Sequence, residues 1–299
     1  MNNSMWKKGL VFNIVFMFIF VAVNISAATQ TKVIKNDVTP KSLFGLQSVI
    51  IITWDGNNTQ EPLKPGGAPR NITLNIYYVT TTGVFGRYIL PYFILTKQYV
   101  DVFLELDDVP SYCYATLLDS QLRFPISDTP TTQSTILSVA VDETAPAFEL
   151  TTFKIHASVD DKRGPFGFLS IIDGYEQEFM LVFVADYLPH IIVSPKDSYL
   201  ETTPGTAVIA PIAVENHGNG RTTVQVYVVS APADWIIHLE PFMLVLDVNE
   251  NKTTNISMTS PINFHGIKTI VLEFTPYKSD DYAKEGNSVN VSILVEVKS

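Results

Sequence analysis

A chain of 299 residues, 46% hydrophobic and only 17% charged, has material for two ordinary domains with buried cores, which excludes long intrinsic disorder. Thirty Asp and Glu against twenty Lys and Arg leave a formal charge of −10, so the chain has no electrostatic means of holding a phosphate backbone, and nucleic acid is excluded as an expected partner. Val, Ile and Thr together make up 86 residues, a balance that favours strands over helices.

The first segment reads as an address. Lys7 and Lys8 precede an apolar run from Leu10 to Val23, and Ser26, Ala27 and Ala28 follow it. This is a secretory signal pattern with cleavage expected after Ala28; the alternative is a retained anchor. Membrane contact is expected only through residues 10–28, if that segment is uncleaved. The single cysteine, Cys113, cannot close a bridge within the chain, so an exported protein of this sequence must cohere by its core alone.

From there the chain alternates with period two. Ile72, Leu74 and Ile76 share one parity; Val100, Val102, Leu104 and Leu106 share another. Further runs are Leu137 to Val141, Phe153 to Val159, Phe179 to Phe183, Val224 to Val228, Ile270 to Phe274 and Val289 to Val297. Each predicts a strand with one face in a core and one in water. Turn clusters separate them, among them Asp55-Gly56-Asn57-Asn58, Pro65-Gly66-Gly67, Lys162-Arg163-Gly164-Pro165 and His217-Gly218-Asn219-Gly220. No helical pattern stands out. The expected fold is all-β, two tandem immunoglobulin-like antiparallel sandwiches after the N-terminal segment: 1–28 signal or anchor, 29–193 first sandwich with an insertion, 194–299 second sandwich.

The two halves carry the same landmarks in the same order. Pro65-Gly66 matches Pro204-Gly205, Pro110 to Tyr112 matches Pro232 to Trp235, and Thr144 to Phe148 matches Thr259 to Phe264. Tyr112 and Trp235 are the expected core plugs. The first copy is longer between its first two landmarks, which predicts an extra strand or loop around Tyr77 to Tyr99. Leu188 to Ser198 is the expected seam, and its shortness predicts a semi-rigid pair.

The second half, with Pro204-Gly205, Val214 to Asn219, Pro232-Ala233-Asp234-Trp235 and a Val-rich closing strand, resembles the immunoglobulin-like module NEW3, which occurs beside carbohydrate-binding regions of alpha-galactosidases and has related repeats in archaeal surface proteins. That resemblance covers about residues 198–299. It implies a sandwich fold and an accessory or structural role, with no catalytic residues. Asn216, Gly218 and Gly220 are expected to adopt positive φ in a turn.

Chemistry is sparse. No P-loop, H-E-x-x-H, G-x-S-x-G or C-x-x-C pattern occurs, and no cofactor is expected. The five histidines lack ligand spacing, and the doublets Asp107-Asp108, Asp160-Asp161 and Asp280-Asp281 read as solvated loop charges. Asp247 to Asn251 opens like a calcium loop, but Lys252 and Met258 break the pattern, so it reads as a hairpin turn. Seven N-x-S/T triplets occur; five follow residue 28, making Asn57, Asn71, Asn251, Asn255 and Asn290 candidate glycosylation sites. The expected function is a non-enzymatic secreted or cell-surface protein serving adhesion, envelope structure or assembly, its partners other surface proteins or envelope polysaccharide. A carbohydrate-binding module, with Trp54 as a stacking platform, is the alternative.

Overall fold

The computed structural model describes residues 46–56, 61–83, 85–163 and 170–298. The expected signal or anchor at 1–28 and the candidate site Asn57 lie outside the described residues.

The first half comprises β1 (Leu46–Trp54), β2 (Arg70–Thr82), α1 (Gly86–Leu95), β3 (Tyr99–Asp107), β4 (Cys113–Leu117), β5 (Gln121–Pro125), β6 (Thr131–Val141), β7 (Leu150–Val159), β8 (Lys162–Arg163), β9 (Ser170–Asp173) and β10 (Tyr175–Val184). Two sheets form, ordered β4-β6-β2-β1-β9-β8 and β10-β7-β3-β5. Among the described residues these strands all pair antiparallel except β9 with β1, and Ala185 adds single parallel bridges to Leu63 and Ala147. Ile72, Leu74, Ile76 and Tyr78 of one sheet and Leu104, Phe124, Phe153 and Phe183 of the other are fully buried in one core. The parity read from the sequence is the parity that is buried, because each alternate residue of a pleated strand points to the same side.

The second half comprises β11 (Ile191–Pro195), β12 (Tyr199–Thr202), β13 (Ala207–Asn216), β14 (Thr222–Ser230), β15 (Ile236–Glu240), β16 (Met243–Leu246), β17 (Asn251–Thr259), β18 (Gly266–Lys278), β19 (Asp281–Glu285) and β20 (Val289–Val297). Its sheets are ordered β11-β13-β17-β15 and β12-β20-β18-β14-β16, with β19 beside β18. A second core lies between them, with Ile212, Val214, Ile256, Leu272, Phe274 and Ile293 fully buried. The fold is all-β, with immunoglobulin-like sandwiches in tandem.

The repeat is one of topology. The order β1-β2-β6-β4 corresponds to β11-β13-β17-β15, and β10-β7-β3-β5 to β20-β18-β14-β16. In each copy the chain crosses from the third main strand to the edge of the opposite sheet, returns for one short strand, and crosses again. The sequence landmarks fall at equivalent corners. Gly66 and Gly205 both have positive φ, at 64° and 72°. The turns at Pro110 and Pro232 close alike, Cys113 N–H donating to Pro110 O (2.9 Å) and Trp235 N–H to Pro232 O (3.2 Å).

Five expectations need correction. The insertion near Tyr77 to Tyr99 is the helix α1, not a strand or plain loop. Its sequence GRYILPYFIL is apolar on every side, so no polar face reveals the 3.6-residue period. The helix closes with a Schellman motif: Lys97 takes φ 51°, Gln98 N–H donates to Phe93 O and Lys97 N–H to Ile94 O. Lys162-Arg163 belongs to β8 rather than a turn. Asn216, Gly218 and Gly220 are not among the positive-φ residues; Gly218 is required by space, since a methyl group there would lie 2.6 Å from Leu188 O. Asp247 to Asn251 joins β16 to β17 in the opposite sheet and is therefore no hairpin. Finally, the 193/194 boundary falls inside β11, every residue of which pairs with β13, so the chain changes sandwich at Tyr187 to His190.

Candidate functional site

The most heavily built polar feature is the joint between the sandwiches. The turn between β13 and β14 projects Asn219 toward the first sandwich, where it is almost wholly buried. Its amide nitrogen donates to Ala145 O and to Asp186 O, each at 2.8 Å. Its Oδ1 accepts from Leu188 N–H at 2.7 Å. The Asn219 backbone also bridges, its N–H donating to Leu188 O (3.2 Å) and its carbonyl accepting from Ala147 N–H (3.0 Å). A carboxamide offers both donors and acceptors, so one side chain bonds three main-chain groups of the first sandwich and the connecting segment.

Asn216 supports this turn from within. Its Nδ2 donates to the carbonyls of Gly220 (2.9 Å) and Asp247 (3.1 Å), and its Oδ1 accepts from Gly218 N–H (3.0 Å). Around the turn the contact is close. Tyr187 OH bonds Thr222 Oγ1 at 2.9 Å. A methyl group on Gly220 would approach Ala147 Cβ to 2.9 Å. The Lys278 ammonium sits 3.9 Å from the centre of the Phe148 ring. Reading by strands located the turn and the seam separately; only the pairing of four loops shows that they meet. The cluster of Asn and Gly at 216–220 is the sequence signal for this joint, and by itself it points equally to an ordinary turn.

The residues singled out from sequence are dispersed. Trp235 is 8% exposed in the second core, edge-on to Phe264 with ring centres 5.7 Å apart. Tyr112 is half-buried against the first core, its hydroxyl 3.2 Å from Thr151 Oγ1. Trp54 packs on the first core with one part open, so only a partial face remains for stacking on a ligand. Asn71, Asn251, Asn255 and Asn290 are exposed on β2, β17 and β20. Asn251 Nδ2 donates to Glu215.

No group of three or more His, Cys, Asp or Glu among the described residues is arranged to hold a metal. The acidic doublets do not converge: Asp107 pairs with Lys154 in the β3–β7 ladder while Val102 pairs with Val159, placing Asp107-Asp108 and Asp160-Asp161 at opposite ends. Asp108 shares Lys154 with Glu178, at 3.0 and 3.4 Å, and Asp161 accepts from Gly174 N–H. Glu250, in the calcium-like turn, accepts from Asp247 N–H, which with Lys252 holds its carboxyl below the ordinary range. Burial holds the Cys113 thiol above its ordinary range, where the nucleophilic thiolate is scarce.

Open sheet edges are the remaining interaction features. β10 is the longest, ten residues paired on one side with β7. Glu176 and Glu178 stand on its outer part, charges of the kind that discourage indiscriminate pairing. Among the described residues no helix is long and apolar enough to cross a membrane.

No family model and no curated protein matches the chain. Among solved structures it is similar to a protein of unknown function from Porphyromonas gingivalis (12% identity, 83% of this chain and 99% of that one, TM-score 0.27). It is similar also to domains 4 and 5 of the S-layer protein SbsC (12%, 84% and 98%, TM-score 0.28) and to the E. coli chaperone DraB (6%, 82% and 98%, TM-score 0.27). Scores this low carry no functional argument. The class to which this chain belongs rests on its own strand order: tandem immunoglobulin-like sandwiches with a bonded joint.

Proposed function

We propose that this is a non-enzymatic exported or cell-surface protein whose paired sandwiches act as one stiff unit in adhesion, envelope structure or assembly with other surface proteins. The joint carries this reading. A polar side chain buried between two domains and fully bonded is costly to leave unmatched, so it selects one arrangement of the pair. A fixed arrangement serves a protein that presents several edges and loops to large partners at once. The signal-like pattern at residues 1–28 and the candidate glycosylation sites Asn71, Asn255 and Asn290 on outward faces fit export. The NEW3-like landmarks of the second half fit an accessory role.

Two measurements test the proposal. Protease added to intact cells should digest the native protein, and its intact mass should report the fate of residues 1–28 together with any glycans. A chain protected inside the cell would overturn the localisation. Small-angle scattering of the full chain should fit one arrangement of the two sandwiches; a broad ensemble would overturn the stiff-unit reading.

A further inference from the structure

α1 turns large apolar side chains both inward and outward. Gly86, Leu90 and Phe93 are buried on the first core. On the opposite side Tyr88, Tyr92 and Leu95, spaced by four and three, form a ridge and are 69%, 63% and 82% exposed. Phe85 and Ile94, each 41% exposed, flank it. The ridge lies on a ten-residue helix, about 15 Å long, and is convex.

Its charge is opposite to that of the chain. Between Glu61 and Asp101 there is no acidic residue, in a sequence that has 30 of them. Arg87 lies in the first turn of the helix, its guanidinium 4.8 Å from the Tyr88 ring centre and bonded to the Tyr88 hydroxyl. Lys97 ends the helix, and Lys162 of the neighbouring β8 donates to Tyr99 O. Among the described residues none of the three is ion-paired with a carboxylate.

The geometry points to α1 as a membrane-interface element: the Tyr88–Tyr92–Leu95 ridge enters the boundary between headgroups and acyl chains of an anionic bilayer, with Arg87 and Lys97 at the level of the phosphates. Tyrosines place an apolar ring in lipid and a hydroxyl in water, and basic side chains at both helix ends meet anionic headgroups. A protein partner fits less well. A standard interface covers roughly 800 Å² on each side, more than the five side chains of this ridge expose, and a convex ridge would need a matching groove. A bilayer needs none. The acidic remainder of the chain, repelled by the same surface, orients the molecule with α1 toward it. Membrane contact, expected only through residues 10–28 if that segment is uncleaved, thereby gains a second element that does not depend on cleavage.

The test uses the full chain with Leu95→Cys carrying an environment-sensitive nitrobenzoxadiazole label, the native Cys113 being buried. Phosphatidylcholine–phosphatidylglycerol vesicles should shift the label to the blue and brighten it, and lipids with a quencher high in the acyl chain should dim it. A label at Ile262→Cys, 78% exposed on the second sandwich, should not respond. Arg87→Glu with Lys97→Glu should weaken the response at least about tenfold, as should high salt. The same label at Tyr92→Cys repeats the measurement should the first variant fold poorly. The proposal is overturned by a water-like label at Leu95 on vesicles that carry the protein down, by an equal shift at Ile262, by indifference to charge reversal, or by a shift that grows with protein concentration without lipid and so reports self-association.

Discussion

The side-chain amide of Asn219, in the second sandwich, donates a hydrogen bond to the carbonyl oxygen of Ala145 in the first, 2.8 Å away. A bond from a side chain to a main-chain group depends little on the identity of the residue that supplies the carbonyl. Asn219 can therefore serve the joint whatever residues supply those carbonyls, provided the loops keep their path, with Tyr187–Thr222 and Lys278–Phe148 beside it.

Replacing that asparagine removes its three side-chain bonds, to Leu188 N–H, Ala145 O and Asp186 O. Asn219→Ala should cost on the order of 3 kcal/mol of coupling between the sandwiches, since it loses three hydrogen bonds of about 0.5–1.5 kcal/mol each. Calorimetry should show one unfolding transition split into two, and scattering should show a broader range of dimensions.

Bulk at the turn should act by wedging. A methyl at Gly218 would meet main-chain atoms of Leu188 and His190 at 2.6 and 3.0 Å, whereas one at Gly220 would meet the Ala147 methyl at 2.9 Å. Gly218→Ala should therefore open the joint more than Gly220→Ala, read as the change in radius of gyration, while the near-ultraviolet dichroism of both cores is retained.

Within the second sandwich, Trp235→Ala should destabilise by about 3–5 kcal/mol, the cost of emptying a buried indole site. Denaturant unfolding of the two sandwiches, followed separately, should assign the loss to the second. Tyr112→Phe should cost only about 1 kcal/mol, because the ring remains and a single bond to Thr151 is lost.

Alkaline stability should depend on buried phenols. Burial raises the pKa of Tyr78, whose hydroxyl meets Ser48 (3.1 Å) and Thr80 (3.2 Å), and of Tyr187 at the joint. The folded state thus holds these protons more tightly than the unfolded chain. Their contribution is fully present below the ordinary tyrosine pKa of 10.0 and is lost as pH rises through the higher folded values. Ultraviolet titration should find both phenols ionising together with unfolding above pH 10, and Tyr78→Phe should move that midpoint upward.

The strands were legible because parity needs only local information. Phe153, Ile155, Ala157 and Val159 are buried in alternation whatever sheet β7 joins. The corners were legible too, since Gly66 and Gly205 mark backbone conformations that few other residues adopt. α1 escaped notice because its inner and outer faces are equally apolar, and amphipathic contrast is what makes a helix visible in a sequence. The Asp247 turn differs from its expected hairpin for a related reason: its residues suit a tight reversal, but whether the following strand pairs with the preceding one or crosses to the other sheet depends on partners far along the chain.

Alternation, turn residues and repeated landmarks thus carried the all-β class and the tandem repeat, since each is written in neighbouring residues. The order of strands within the sheets, the meeting of Asn219 with Ala145, Asp186 and Leu188, and the outward ridge of α1 were decided by tertiary structure. Each depends on which distant segments share a surface, and that is set by the packing of two cores rather than by any local pattern.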